Sequence, residues 1–130
     1  MIVLDASAAV EYVLGTTPGL VVREWILSDV QVHYPELMSV EVASALRRLV
    51  RRGDLTPRRA AAAIEDILDL DGTPHRHDLF LLQAFTYRDR FSVYDAMYVA
   101  LAGALDARLM TADARLARAA ESLVRIELVS

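Results

Sequence analysis

The sequence has 130 residues and a formal net charge of −4, with 18 acidic side chains against 14 arginines and no lysine. A chain of this length buries roughly two-thirds of its unfolded surface, so we expect one domain over residues 1–130. The absence of cysteine excludes disulfides, thiolate metal sites and a cysteine nucleophile. The acidic balance excludes the strongly basic class of nucleic-acid-binding domains.

Segments of strand length alternate with segments of helix length along the chain. Short apolar runs indicate strands, and longer runs with Ser, Thr or Pro at the start and Gly at the end indicate helices. This alternation predicts an α/β fold in which helices cover both faces of a parallel sheet. The predicted strands are residues 1–4, 30–34, 73–77, 107–110 and 124–129, and the predicted helices are residues 7–14, 17–29, 39–52, 57–70, 78–88, 93–105 and 112–122.

No segment has the pattern of a secretory signal or a membrane span. Only Met1 precedes the first apolar run, where a secretory signal would need a basic region and a longer apolar stretch. The longest uncharged apolar run, residues 96–105, has ten residues and is too short to cross a bilayer. We therefore expect a cytoplasmic protein with no membrane association. The lack of cysteine is compatible with the cytoplasm.

Four carboxylates lie where a predicted strand gives way to a helix or where a helix begins. Asp5 and Asp113 each follow a strand, and Glu41 and Asp95 each lie in the first turn of a helix. Singly, each has a structural explanation, because acidic side chains cap helices and favour their positive ends. Helices that cover a parallel sheet begin near its carboxyl edge, where ligands bind in open α/β folds. We therefore expect the four acids to converge.

Converging carboxylates repel one another, and a hard divalent cation relieves that repulsion. Mg²⁺ or Mn²⁺ prefers oxygen ligands and retains water, and one or two such ions can act on a phosphodiester. No Gly-rich phosphate loop competes with this interpretation. His75 and His77, which a strand would place on one face, are too few for a closed metal site.

Arginines are concentrated between residues 47 and 59. Helical spacing places Glu41 and Arg48 on one face, with Arg52 one turn further along. This pattern predicts a basic track that begins beside the metal site, although a solvated helix face without a partner is the alternative. Tyr94 and Tyr98 are four residues apart, and we expect them to share a face and to pack in the core or an interface.

Four segments carry recognisable motifs in a consistent order across essentially the whole chain. They are Ile2-Val3-Leu4-Asp5-Ala6-Ser7-Ala8, Glu41-Val42-Ala43-Ser44-Ala45-Leu46, Tyr94-Asp95-Ala96-Met97-Tyr98-Val99-Ala100-Leu101-Ala102 and Leu109-Met110-Thr111-Ala112-Asp113-Ala114-Arg115-Leu116. In order and spacing these motifs resemble those of PIN-domain nucleases, and specifically those of VapC-type toxins. The last two motifs together are the most specific.

The resemblance implies a PIN-like three-layer α/β/α sandwich with a four- to five-stranded parallel sheet. It implies the toxin of a type II toxin–antitoxin system, an endoribonuclease that hydrolyses RNA with water activated by Mg²⁺ or Mn²⁺. The four carboxylates would be the catalytic and metal-binding residues, with Ser7 and Thr111 as polar support. Expected partners are RNA, a cognate antitoxin and a second copy of the chain, and a toxin–antitoxin hetero-oligomer is expected to form. Arg48 and Arg52 suit contacts with RNA and with antitoxin equally.

Two other functions remain open at this point. A receiver-like or phosphatase-like domain with an aspartate nucleophile shares the acidic edge, but it needs a lysine nearby, and the chain has none. A catalytically silent interaction module would use the acids only as helix caps and the arginines only for docking. Divalent-metal titration separates this module from the enzyme, because the module should bind no divalent ion.

Overall fold

The computed structural model describes residues 1–130 and contains five short strands and seven α-helices. The strands are β1 (Ile2–Leu4), β2 (Val32–Pro35), β3 (Thr73–His75), β4 (Arg108–Thr111) and β5 (Ile126–Leu128). The helices are α1 (Ala6–Leu14), α2 (Thr17–Leu27), α3 (Leu37–Arg51), α4 (Pro57–Leu68), α5 (Leu81–Thr86), α6 (Val93–Leu105) and α7 (Ala114–Ala120). None of these helices combines the length and the apolar character that a membrane span requires.

The strands form one parallel sheet in the order β3-β2-β1-β4-β5. The chain runs outward from β1 through β2 to β3, and then returns to the other side of β1 to form β4. The direction of winding therefore reverses between β1 and β4, and ligands bind at such a reversal in open α/β sheets. Asp5 follows β1 directly and Asp113 lies just beyond β4, so the fold brings both to this position.

Helices cover both faces of the sheet, as a parallel sheet requires. The helix α1 contacts α2, α3 and α4, and α5 contacts α6. With right-handed crossovers, α1–α4 form one layer and α5–α7 the other. The predicted three-layer α/β/α sandwich with a four- to five-stranded parallel sheet is confirmed.

The helix α6 is the most deeply buried of the seven. Seven consecutive residues, Ala96 to Ala102, are buried, and the helix packs on β1, β2 and β4. A helix that is apolar on all sides must lie inside the molecule. Asp95, in the first turn of α6, is consequently carried on a rigid support.

Six of the seven helices differ from the sequence-based prediction at one or both ends, and two of these differences have structural consequences. The third begins at Leu37 rather than at residue 39, so Glu41 lies in its second turn. The fifth, predicted over residues 78–88, is a 3-10 helix at His77–Leu79 followed by the six-residue α5. Tertiary contacts interrupt it, because the His77 ring accepts a hydrogen bond from the Leu37 amide at 2.9 Å. Phe80, with its ring 5.9 Å from that of His75, has a non-helical backbone.

The contact between α1 and α2 yields a stability prediction. A Cβ added at the buried Gly19 would lie 1.9 Å from the backbone oxygen of Glu11, so Gly19→Ala must separate the two helices. We expect a loss of about 1–3 kcal/mol in the free energy of unfolding, measured in urea. Gly103→Ala is the control, because its nearest neighbour would be at 3.8 Å and alanine favours helix by about 0.5–1 kcal/mol. Equal stabilities of the two variants would contradict the prediction.

Candidate active site

Asp5 is the most enclosed carboxylate of the molecule, with 4 % of its surface exposed. It is the N-cap of α1, and its Oδ1 accepts hydrogen bonds from the Ala8 amide at 3.0 Å and the Ser7 hydroxyl at 2.7 Å. Its Oδ2 accepts from the Thr111 hydroxyl at 2.7 Å. Each carboxylate oxygen has about two lone-pair sites. Oδ1 is therefore fully used, and Oδ2 retains one site.

Ser7 and Thr111 join the ends of β1 and β4. Their hydroxyl oxygens are 3.2 Å apart. The Ser7 hydroxyl donates to Oδ1 of Asp5 and the Thr111 hydroxyl donates to Oδ2. Ser7 also accepts from the Ala112 amide at 2.9 Å, and Thr111 accepts from the Asp113 amide at 3.0 Å. The two residues predicted as polar support thus connect Asp5 directly to the segment that carries Asp113.

Asp113 is held in the same manner as Asp5, as a helix cap with an oxygen to spare. It is the N-cap of α7, and its Oδ1 accepts from the amides of Arg115 at 2.9 Å and Leu116 at 3.3 Å. Its Oδ2 accepts no hydrogen bond from the protein. Asp113 therefore both caps a helix and offers an oxygen to a ligand.

Asp95 and Glu41 approach from two further helices. Ser92 is the N-cap of α6 and accepts from the Asp95 amide at 3.1 Å, as its sequence position predicts. On α3, Glu41 Oε1 accepts from the Tyr98 hydroxyl at 2.6 Å, while Oε2 has no protein partner. Asp95 is held through its backbone amide, whereas the Glu41 side chain is held by a hydrogen bond from another helix.

All four carboxylates line a single cavity of about 380 Å³. Arg48 lines it as well, two turns after Glu41 on α3, as helical periodicity predicts. Arg52 does not line this cavity, and instead forms an exposed ion pair with Asp54 at 2.7 Å. The predicted basic track therefore reaches the acidic cavity only through Arg48.

Burial raises the pKa values of Asp5, Glu41 and Asp95, and repulsion from a neighbouring carboxylate adds to the effect. Burial, with a smaller contribution from the Asp95 carboxylate, raises the pKa of Asp5 to about 6 against the opposing effect of its three hydrogen-bond donors. The pKa of Glu41 is raised by burial and by Asp95, although the Tyr98 hydroxyl opposes this. Burial and then Asp113 raise the pKa of Asp95, and Arg115 opposes them. Asp95 thus interacts with all three other acids.

Comparison with known proteins identifies the family. A profile of the PIN domain matches residues 2–122. The chain is 37% identical over 130 residues to ribonuclease VapC12 of Mycobacterium tuberculosis, covering 100% of both. It is 36% identical over 129 residues to ribonuclease VapC1 of the same organism, covering 98% of this chain and 96% of VapC1. The chain belongs to the PIN-domain family, among its VapC-type members.

A solved structure shares the fold of this PIN domain. The crystal structure of PAE2754 from Pyrobaculum aerophilum is 21% identical in sequence and superimposes with a TM-score of 0.72. The match covers 96% of this chain and 81% of PAE2754.

The oxygen donors of this PIN domain fit a hydrated divalent ion better than a closed metal cage. Carboxylate oxygens suit Mg²⁺ and Mn²⁺, and Mg²⁺ usually keeps several of its waters in proteins. No three His, Asp or Glu side chains are close enough to hold one ion together by direct contact. The partnerless oxygens of Glu41 and Asp113 and the remaining site on Asp5 are suited to ligate through water as well as directly.

Three residues near the cavity were not identified as site residues from the sequence. Glu11 lines the cavity four residues after Ser7 on α1, a spacing that could have revealed it. Arg115 lies in the first turn of α7 and acts on Asp95 through its charge. Tyr98 was expected to share a face with Tyr94 and to pack in the core or an interface. It does pack in the core, where it is 2 % exposed, but its hydrogen bond to Glu41 was not predicted, and Tyr94 is 66 % exposed.

The histidine pair also differs from expectation. His75 ends β3, while His77 begins the 3-10 helix, so the two rings do not share a strand face. The partner of His75 is instead His33 on the neighbouring strand, with Nε2 of His75 2.9 Å from Nδ1 of His33. The histidines thus join β2 to β3 rather than forming a pair at the sheet edge.

The burial of Asp5 predicts a pH-dependent effect of Asp5→Asn on stability. Folded Asp5 holds its proton up to a pKa of about 6, against 3.8 when unfolded. The stability of the unmodified protein therefore falls as pH rises through this interval. The penalty is complete only well above the folded pKa, so Asp5→Asn should be more stable by about 1–3 kcal/mol at pH 8. The advantage should vanish near pH 4.

Urea unfolding at pH 4 and pH 8 in a chelator measures this difference. The exposed Asp89 provides the control variant Asp89→Asn. A constant difference between Asp5→Asn and the unmodified protein at both pH values would contradict the proposed penalty.

Proposed function

We propose that this PIN domain is a Mg²⁺- or Mn²⁺-dependent endoribonuclease and the toxin of a type II toxin–antitoxin system. The observation that carries the proposal is the meeting of Asp5, Glu41, Asp95 and Asp113, from four separate segments, in one cavity where the sheet winding reverses. Helix capping accounts for Asp5 and Asp113 individually, but not for their convergence with Glu41 and Asp95. The relatives VapC1 and VapC12 are named ribonucleases, which supports the same activity here.

The four carboxylates have different parts in this proposal. Asp5, Asp95 and Asp113 would hold the metal, at least one of them through water, and Glu41 would orient water on the metal or a second ion. When bound, the divalent ion supplies positive charge for the phosphate oxygens and lowers the pKa of water. Ser7 and Thr111 hold Asp5 in one orientation through their two hydrogen bonds to it.

RNA is the proposed substrate despite the acidic net charge. A bound divalent ion would offset much of the negative charge of the cavity, and Arg48 adds a permanent cation at its wall. Arginine suits this position because its planar group matches phosphate oxygens in pairs. We place this activity in the cytoplasm, where the substrate occurs.

The proposed protein partners are a cognate antitoxin and a second copy of the chain. An antitoxin that covers the cavity would keep RNA out, and Arg48 suits an antitoxin carboxylate as well as it suits a phosphate. The helix α2, which carries Trp25, is a further proposed contact. Exposed apolar side chains at Leu79, Leu82 and Phe85 are suited to burial in such assemblies.

Loss of either of two aspartates should abolish RNA cleavage. Asp5→Asn and Asp95→Asn each remove a negative charge from the cavity, and we expect cleavage to fall at least about 100-fold as the ion is lost. Cleavage of a fluorescent RNA with Mn²⁺ measures this, with Asp89→Asn as the control and circular dichroism to monitor folding. Full cleavage by either folded variant would refute the assignment.

Metal binding separates the enzyme from the silent module. Calorimetry of the unmodified protein should show divalent binding in the millimolar range or tighter, and a chelator should stop cleavage. If the unmodified protein gave no heat of divalent binding, the silent module would be favoured. Cleavage that the chelator did not affect would favour a metal-independent activity.

The two arginines of α3 should differ in their effect on RNA binding. Arg48→Ala removes a cation at the cavity wall, and we expect KM for RNA to rise about tenfold. The slope of the logarithm of the RNA-binding constant against the logarithm of salt concentration should also decrease in magnitude by about one, as expected for the loss of one phosphate contact. Arg52→Ala is the matched control and should leave KM within about twofold, because Arg52 pairs with Asp54 outside the cavity. Equal effects of the two variants would indicate nonspecific charge attraction.

A further inference from the structure

Tyr98 is a buried tyrosine whose hydroxyl reaches the acidic cavity. It lies on α6, three residues after Asp95, and lines the cavity together with Glu41. Its hydroxyl donates to Glu41 Oε1 at 2.6 Å, across 57 residues of sequence. The bond therefore joins α6 to α3 at the point where both helices contribute an acid.

Packing alone does not explain the hydroxyl. A phenylalanine ring would fill the same space. Burying a hydroxyl costs free energy unless it has a hydrogen-bond partner. The only hydrogen-bond partner of this hydroxyl is Glu41. Burial and the adjacent carboxylate raise the pKa of Tyr98 well above its usual range, so the hydroxyl keeps its proton and remains a donor.

The bond restricts a side chain that would otherwise be mobile. Glutamate has several rotatable bonds, and only one oxygen of Glu41 has a protein partner. Fixing Oε1 limits the positions that Oε2 can reach. Protein groups that hold a metal ligand in this way typically contribute strongly to metal affinity.

We propose that Tyr98 is a positioning residue, whose hydroxyl holds the Glu41 carboxylate so that Oε2 remains available to the divalent ion or its waters. The inference rests on the proposed function, in which Glu41 serves the metal site. It assigns to Tyr98 no contact with RNA and no part in proton transfer.

Tyr98→Phe tests the proposal, because it removes the hydroxyl and keeps the ring. We expect the affinity of the metal-free protein for Mn²⁺, measured by electron paramagnetic resonance of the free ion, to fall at least about tenfold. At saturating Mn²⁺, kcat should fall while KM for RNA stays within twofold. Tyr94→Phe, on the exposed side of the same helix, is the matched control and should change neither quantity. Mn²⁺ affinity unchanged in a folded Tyr98→Phe protein would overturn the proposal.

A double-mutant cycle with Glu41→Gln separates this inference from the proposed function. If Tyr98 acts through Glu41, Tyr98→Phe should cause no further loss of Mn²⁺ affinity in the Glu41→Gln protein. Independent losses that multiply would overturn the positioning role while leaving the metal site intact. If Glu41→Gln alone left the Mn²⁺ affinity unchanged, the role of Glu41 at the metal site in the proposed function would be contradicted.

Discussion

The burial of carboxylates, to which their mutual repulsion adds, is the constraint on which the site depends. Asp5 has almost no contact with solvent, and Asp95 raises the pKa values of both Asp5 and Glu41. Three hydrogen-bond donors do not outweigh the burial of Asp5, since its pKa still rises to about 6. A scaffold that only needed to be stable would gain by replacing this aspartate with a neutral residue. In the proposed function, a bound divalent cation would offset this cost.

Helix capping and ligand binding are compatible uses of the same side chain here. Oδ1 of Asp5 and Oδ1 of Asp113 each accept hydrogen bonds from amides at the start of a helix. Oδ2 of each residue can still accept a ligand. The cap fixes the rotamer of Asp113, so its second oxygen is positioned without further support, whereas the second oxygen of Asp5 is also held by Thr111. The frequency of aspartate at helix starts is therefore no argument against a metal site at the end of a parallel strand.

Features that follow from the regular pattern of strands and helices were predictable, and individual side-chain contacts were not. The alternation of strands and helices predicted the sheet, and the ends of its strands predicted that Asp5 and Asp113 would meet. Helical periodicity correctly joined Glu41 to Arg48. It did not predict that Arg52 would pair with Asp54, because that choice belongs to the turn that follows α3. The hydroxyl contact of Tyr98 could not be inferred, since its partner lies on another helix.

The site joins parts of the chain that are far apart in sequence. Ser7 meets Thr111 across 104 residues, and β1 pairs with β4. During synthesis on the ribosome, β1 can pair early with β2, but its other edge stays open until β4 has emerged. Closing such a long loop is slow compared with local pairing. A nascent or truncated chain that ends before β4 therefore lacks Asp113 and the donor from Thr111, so it cannot assemble the complete site while it is being made.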